Sequence, residues 1–165
     1  MSTVAVTSGL GALPSRFRRE RLLIVGYGDV GQRMARNLLT GPGAQRLRVL
    51  ALTSQAERVG SLRAQGVTPL VGNLDHAATL RRLSGLATRV VHLAPPPGEG
   101  GGGAAWWRDP RTVALARALR LRSLPVSLVY ASTSGVYGDC AGALVAETRT
   151  VAPGTPRAQR RVNAE

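Results

Sequence analysis

Six residues, Gly26-Tyr27-Gly28-Asp29-Val30-Gly31, constrain this chain more than any other stretch. They follow a short apolar run, Leu22 to Val25. They open a segment of helical spacing in which Val30, Met34, Leu38 and Leu39 share one face. The pattern reads as strand, tight turn, helix. Gly26 permits the sharp turn, Gly28 lets the backbone approach a pyrophosphate, and Gly31 lets helix and strand pack closely. The N–H groups at the helix start, with the positive end of its dipole, then face the phosphates. The spacing alone is a weak signal, but here it sits in the strand-to-helix context that dinucleotide binding requires. The alternative is a glycine turn in an α/β unit that binds nothing.

The rest of the chain repeats the alternation. Strands are expected at 48–53, 67–71, 89–93 and 126–131, and helices at 57–64, 77–83, 111–121 and from Pro156 to Glu165. Asp75 is expected to cap the helix at 77–83, and Asp109-Pro110 to start the one at 111–121. Pro95-Pro96-Pro97 and the glycine-rich run 98–103 read as a flexible loop. Alternating strands and helices imply a Rossmann-like, doubly wound parallel sheet in three αβα layers, with strand order 3-2-1-4-5. That order puts the ligand crevice at the carboxyl ends of strands one and four. The runs LLIV, VLAL, VVHL and VSLVY suit strands buried on both faces.

Composition narrows the function classes. The 165 residues suit one domain with a real core, and 44% hydrophobic against 19% charged suits a globular chain. No apolar run approaches the roughly 20 residues of a membrane helix. Residues 1–20 read as a flexible leader. Their basic residues follow the mildly apolar part, the reverse of a signal peptide, so a cytoplasmic location is expected. The net charge is +13 and every basic residue is an arginine. Nucleic acid or an anionic membrane could explain such a charge. However, the arginines are dispersed over several helices and aromatics make up only 4%. Solvated helix faces with some cofactor phosphate contact are the favoured account. Cys140 is the only cysteine, which excludes an internal disulfide and reads as a neutral loop thiol. No metal site is expected.

Two further loops fall at expected strand ends: His92-Leu-Ala94-Pro95 after strand four, and Ser132-Thr133-Ser134-Gly-Val-Tyr137-Gly after strand five. Taken in order, VGYGDVG, VGNLD at 71–75, VVHLAPPP at 90–97, YASTSGVYGD at 130–139, and the spacing of Glu147, Pro153, Arg161 and Glu165 carry a resemblance. The sequence resembles the NAD-dependent epimerase/dehydratase branch of the extended and atypical short-chain dehydrogenase/reductase family, over nearly all of residues 21–165. It is most similar to an atypical subgroup with APPP after strand four.

The resemblance implies roles for individual positions. Gly26, Tyr27, Gly28, Asp29, Val30 and Gly31 form the pyrophosphate turn. Thr53, Ser54 and Arg58 lie near the adenosine ribose. Asn73 and Leu74 lie beside the adenine, with asparagine where the family has aspartate. Ala94 and Pro95 lie along the cofactor. Thr133 matches the catalytic Ser/Thr, although its hydroxyl equally suits a local backbone contact. The family's Tyr-x-x-x-Lys positions hold Arg157 and Arg161. Arginine stays protonated, so Arg161 can keep an electrostatic role but Arg157 cannot replace the phenol. Tyr137 is a substitute acid or merely packs its turn. His92 reads as a buried strand-end histidine. Because the helical pattern is still running at Glu165, the resemblance implies an NAD(P)-binding Rossmann domain, 21–165, without the C-terminal substrate-binding part.

An acid at the end of strand two would select NAD. Here Thr53-Ser54-Gln55 is neutral and Arg58 is near, so NADP is somewhat favoured, with Glu57 weighing against it. The expected partners are a dinucleotide cofactor and an unknown small molecule of carbonyl or sugar-like type. The expected function is an NAD(P)-binding oxidoreductase or epimerase. The alternative is a non-catalytic dinucleotide sensor.

Overall fold

The computed structural model describes residues 19–98 and 105–165. The expected leader lies outside the described residues over 1–18, and the expected glycine-rich loop over 99–103. Five strands form one parallel sheet: β1 (Glu20–Val25), β2 (Leu47–Thr53), β3 (Thr68–Val71), β4 (Arg89–His92) and β5 (Ser127–Tyr130). Their order is β3-β2-β1-β4-β5, as the alternation predicts. Four α-helices connect or follow them: α1 (Asp29–Thr40), α2 (Val59–Ala64), α3 (Pro110–Leu119) and α4 (Pro156–Ala164).

Alternate side chains of the central strands feed two cores, one on each face. Leu23, Val25, Leu50, Leu52 and Val90 pack with Leu115, Ala118 and Leu119 of α3. Leu22, Ile24, Val49, Ala51 and Val91 pack with Ala35 of α1 and Leu62 of α2. Each leucine, isoleucine or valine among them, fully buried, contributes about 1.5–3 kcal/mol relative to exposure. The apolar runs of the central strands therefore do what their pattern implies.

Three local expectations are corrected. Val30 was expected on the buried face of α1, yet it is 63% exposed. Gly31 sits against the strand, where a Cβ would lie 3.0 Å from the Gly26 carbonyl oxygen and 3.2 Å from Ile24 Cγ2. Docking the helix through Gly31 and Ala35 turns Val30 outward. Strand β5 was expected to be buried on both faces, but Leu128 and Val129 are 47% and 56% exposed. It is an edge strand with a single neighbour. Residues 77–83 form a 3₁₀ helix capped at His76 without a side-chain bond, so Asp75 is not its cap. The Asp75 carboxylate is drawn instead to Arg111, at 2.7 Å.

Candidate functional site

Helix α1 packs on one face of the sheet and α3 on the other, so the carboxyl ends of β1 and β4 are the switch point at which this strand order opens a crevice. Gly26 makes the turn out of β1 with φ +93°, a left-handed conformation that favours glycine. A Cβ there would collide with the Ala94 backbone, 2.7 Å from its Cα. Gly26 is thus required by the fold itself. Gly28 is different: its φ of −84° suits any residue, and a Cβ there meets nothing within 4 Å.

Gly28 is also the N-cap of α1, and it offers no side chain to the first helical turn. Helices α3 and α4 are capped. The Asp109 carboxylate accepts from Arg111 N–H, and Thr155 Oγ1 accepts from Ala158 N–H. The leading N–H groups of α1, like those of the short helix α2, therefore lack the side-chain acceptor that α3 and α4 have. Asp29 and Val30 are exposed there, and the Asp29 carboxylate pairs with Arg33 at 3.1 Å.

Behind the turn lies a cavity of about 210 Å³ lined by Gly26, Ser54, Gly72, Asn73, Leu74, Asp75, Ala94 and Arg111. The structure thus gathers expected cofactor residues from the ends of β1, β2, β3 and β4. Arg58 joins from the side, with Nη2 donating to the Tyr27 carbonyl at 3.1 Å. Tyr27 itself is buried, its hydroxyl donating to Gln65 at 3.2 Å, and burial raises its pKa. Thr53 is buried and its hydroxyl accepts the Gln55 N–H at 3.2 Å, a local turn contact. The Asn73 side-chain oxygen accepts the Asp75 N–H at 2.9 Å, so part of its hydrogen-bonding capacity is committed to the loop.

The cavity is crossed by an ion pair that the sequence did not disclose. Arg111 donates from Nε and Nη2 to the two Asp75 carboxylate oxygens, each at 2.7 Å. Its third nitrogen donates to the Pro95 carbonyl at 3.1 Å. This bond holds the Asp75 carboxyl below its ordinary pKa and raises that of Arg111. The root of Arg111 is fixed in turn. Buried Asp109 accepts the Arg111 N–H at 3.0 Å on one oxygen and the Thr112 hydroxyl at 2.6 Å on the other.

Having given its proton to Asp109, the Thr112 oxygen accepts from His92 Nε2 at 2.9 Å. That assigns His92 the Nε2–H tautomer. Burial lowers its pKa, against the opposing pull of Asp109. His92 is therefore the buried strand-end histidine its position suggested. Its ring meets Tyr130 edge-on at 5.3 Å between centroids, and burial raises the Tyr130 pKa.

The residues after β5 and on α4 match expectation less well. Arg161 is buried, 7% exposed. It donates to the Ala131 carbonyl, and its guanidinium lies 5.5 Å from the Tyr130 ring centre. Arg160 is also buried and donates to the carbonyls of Trp106, Pro97 and Gly98. These two arginines depart from the solvated-face account. Carbonyl acceptors, rather than carboxylates, draw their guanidinium groups inward, and Arg160 ties the helix back to the loop after β4. Arg157 is exposed. Thr133 caps the 3₁₀ turn Ser134–Tyr137, its hydroxyl accepting the Gly135 N–H at 3.4 Å. The Tyr137 hydroxyl donates to the Glu147 carbonyl at 3.4 Å. Cys140 is partly buried, its Sγ 3.6 Å from the Tyr137 carbonyl oxygen. Among the described residues no group of three or more His, Cys, Asp or Glu could hold a metal ion, and no helix is long and apolar enough to cross a membrane.

Residues 22–94 match the TrkA-N domain family. No curated protein matches the chain. A conserved protein of unknown function from Silicibacter pomeroyi is 26% identical over 88% of this chain and 46% of its own, with a TM-score of 0.64. A short-chain dehydrogenase/reductase superfamily protein from Agrobacterium tumefaciens, solved with bound NAD, is 20% identical over 88% of this chain and 43% of its own, with a TM-score of 0.67. The UDP-glucuronic acid 4-epimerase of Bacillus cereus, in complex with NAD, is 21% identical over 87% of this chain and 49% of its own, with a TM-score of 0.65. This chain spans about half the length of those molecules. Over that half, it has the Rossmann fold shared by short-chain dehydrogenase/reductase and NAD-dependent epimerase structures, with the glycine turn and the β4 loop at the crevice where that fold binds its ligand.

Proposed function

We propose that residues 21–165 form the dinucleotide-binding domain of an NAD(P)-dependent oxidoreductase or epimerase acting on a carbonyl or sugar-like substrate. The observation that carries this reading is Gly28. The fold does not need glycine there, because its backbone is ordinary and the space beside it is open. A pyrophosphate lying against the backbone does need it. The uncapped start of α1 supports the same reading, since its leading N–H groups suit phosphate oxygens.

The donor set fits a nicotinamide dinucleotide. The turn 26–31 would hold the pyrophosphate, Ser54 and Arg58 the adenosine ribose, Asn73 and Leu74 the adenine, and Ala94 and Pro95 the remainder. Such a cofactor, when bound, supplies hydride transfer. Arg58 beside the turn adds a cation suited to a 2′-phosphate, which favours NADP. Thr133 is the side chain best suited to orient a substrate oxygen, since its hydroxyl can donate while accepting the local N–H. Arg161 would contribute fixed positive charge near the strand ends, and Tyr137 would pack the turn. The cytoplasm is the proposed location.

One observation favours a second reading, a non-catalytic sensor of cofactor state. Arg157 is exposed where a proton-donating phenol is expected, and Arg161 is engaged by a backbone carbonyl. Turnover with a panel of carbonyl substrates separates the two.

Titration with NADH and NADPH by calorimetry tests the proposal. Saturable binding is expected, with Gly28→Val weakening it at least tenfold while circular dichroism stays native. A variant that binds as tightly as the wild type makes the turn purely structural.

A further inference from the structure

The ion pair between Asp75 and Arg111 joins the loops that follow β3 and β4. Asp75 follows β3, and Pro95 follows β4. In the sheet those strands are three spacings apart, about 14 Å. One guanidinium reaches both loops, making two 2.7 Å bonds to Asp75 and one of 3.1 Å to the Pro95 carbonyl. Asp75 and Arg111 both line the 210 Å³ cavity. The pair therefore forms part of the cavity wall, together with Gly26 of the turn.

Arginine suits this task for a geometric reason. A bidentate carboxylate fixes the guanidinium plane, and the remaining nitrogen then has a defined direction. The anchor is rigid at its root as well. Asp109 holds the Arg111 N–H and the Thr112 hydroxyl, and Thr112 is held by His92 of β4. The far end is equally organised. Asn73 accepts the Asp75 N–H, and the Thr79 hydroxyl accepts the Asn73 N–H at 2.9 Å while donating to backbone carbonyls of the same loop. Placing Asp75 thus places Asn73 and Leu74.

We propose that Arg111 is a positioning residue for the adenosine half of the site: through Asp75 it sets the β3 loop at the distance from β4 that an adenine nucleotide requires. This inference rests on the dinucleotide reading above. Arg111 acts through Asp75 and is not itself a ligand contact. The side chains of Arg111 and Asp75 are 26% and 43% exposed, so solvent moderates the bond and a modest effect follows.

The test is a double-mutant cycle read by calorimetry with NADH and with AMP, which carries the adenosine half alone. Arg111→Met and Asp75→Asn should each raise the Kd of both ligands roughly fivefold, the size expected of a half-exposed ion pair. The double variant should be no weaker than either single one, because one brace is lost in all three. Amide hydrogen exchange of the unliganded variants should quicken over Asn73–His76 and stay unchanged in α1. Loss of affinity in Arg111→Met with unchanged or tighter binding in Asp75→Asn overturns the proposal, since Arg111 would then touch the nucleotide directly. Wild-type affinity in both single variants also overturns it and leaves the dinucleotide reading standing. Wild-type protein that binds neither ligand removes both together.

Discussion

The turn after β1 and the segments after β5 are built from different materials. At the turn, backbone does most of the work: the left-handed Gly26, the open flank of Gly28 and the uncapped start of α1. After β5, side chains carry the geometry. Thr133 caps a turn, Tyr137 reaches the Glu147 carbonyl, and Arg161 reaches the Ala131 carbonyl. A backbone site depends on a few glycines at fixed local spacing. A side-chain site depends on which residues, far apart in the chain, arrive together. The first therefore leaves a recognisable motif in the sequence, and the second does not.

The largest expected effect breaks the turn after β1. Gly26→Ala must place a Cβ into the Ala94 backbone at φ +93°. Ala94 cannot retreat easily, because its N–H donates to the Val25 carbonyl at 3.0 Å. The loss of stability should be on the order of 3 kcal/mol, combining positive-φ strain with overlap. Urea unfolding measures it. Gly28→Val should leave unfolding nearly unchanged, so the two glycines separate fold from ligand. Equal destabilisation by both would erase the distinction on which the proposed function rests.

That difference in material explains how much was legible in the sequence. The strand order and the turn follow from periodicity and glycine spacing, both short-range signals. The ion pair of Asp75 with Arg111 spans 36 positions, and neither residue belongs to a motif that points to the other. Asp75 looked like a helix cap because its local position allowed it. Only the fold brings a bidentate partner close enough to win. The burial of Arg160 and Arg161 was hidden for a related reason: their acceptors are carbonyls of residues 97, 98, 106 and 131, which no side-chain pattern announces. The exposure of β5 reflects its place at the sheet edge, which an apolar run cannot encode.

A smaller effect sharpens the comparison through His92, packed between α3 and β5. Its pKa is lowered by burial, so between the ordinary histidine value of about 6.5 and its folded value the unfolded chain binds a proton that the native chain does not. The His92 contribution is therefore fully present above about pH 6.5 and is lost as pH falls through the folded value. The groups facing it are Thr112 and Asp109 of the α3 start, with Arg161 from α4, whose charge also opposes protonation. Asp75 has a lowered pKa too, but its contribution fades only below the carboxylate range, about pH 4, which separates the windows. Urea unfolding between pH 7 and 5 should show declining stability, with a shallower decline in His92→Gln. An identical slope in the variant would assign the loss to other groups.

The smallest expected effect concerns Arg157, and it probes α4, where resemblance and geometry part. Arg157 and Arg161 are four residues apart on α4, the spacing that puts the family's tyrosine and lysine on one helix face. Here that spacing does not give them a common environment. Arg161 lies inward over the Tyr130 ring, whereas Arg157, in the first turn after Thr155 and Pro156, is exposed. A cation at the start of a helix also sits at the unfavourable end of its dipole. Removing it should cost nothing, so Arg157→Ala should change stability by no more than about 0.5 kcal/mol in either direction. Nucleotide affinity should be unchanged within error, because Thr155 rather than Arg157 fixes the helix start. Calorimetry and urea unfolding of the one variant check both statements. A Kd raised tenfold by Arg157→Ala would mean that this arginine swings onto the cofactor when the crevice fills. The start of α4 would then be brought into the site by ligand binding, in contrast to the preformed turn after β1.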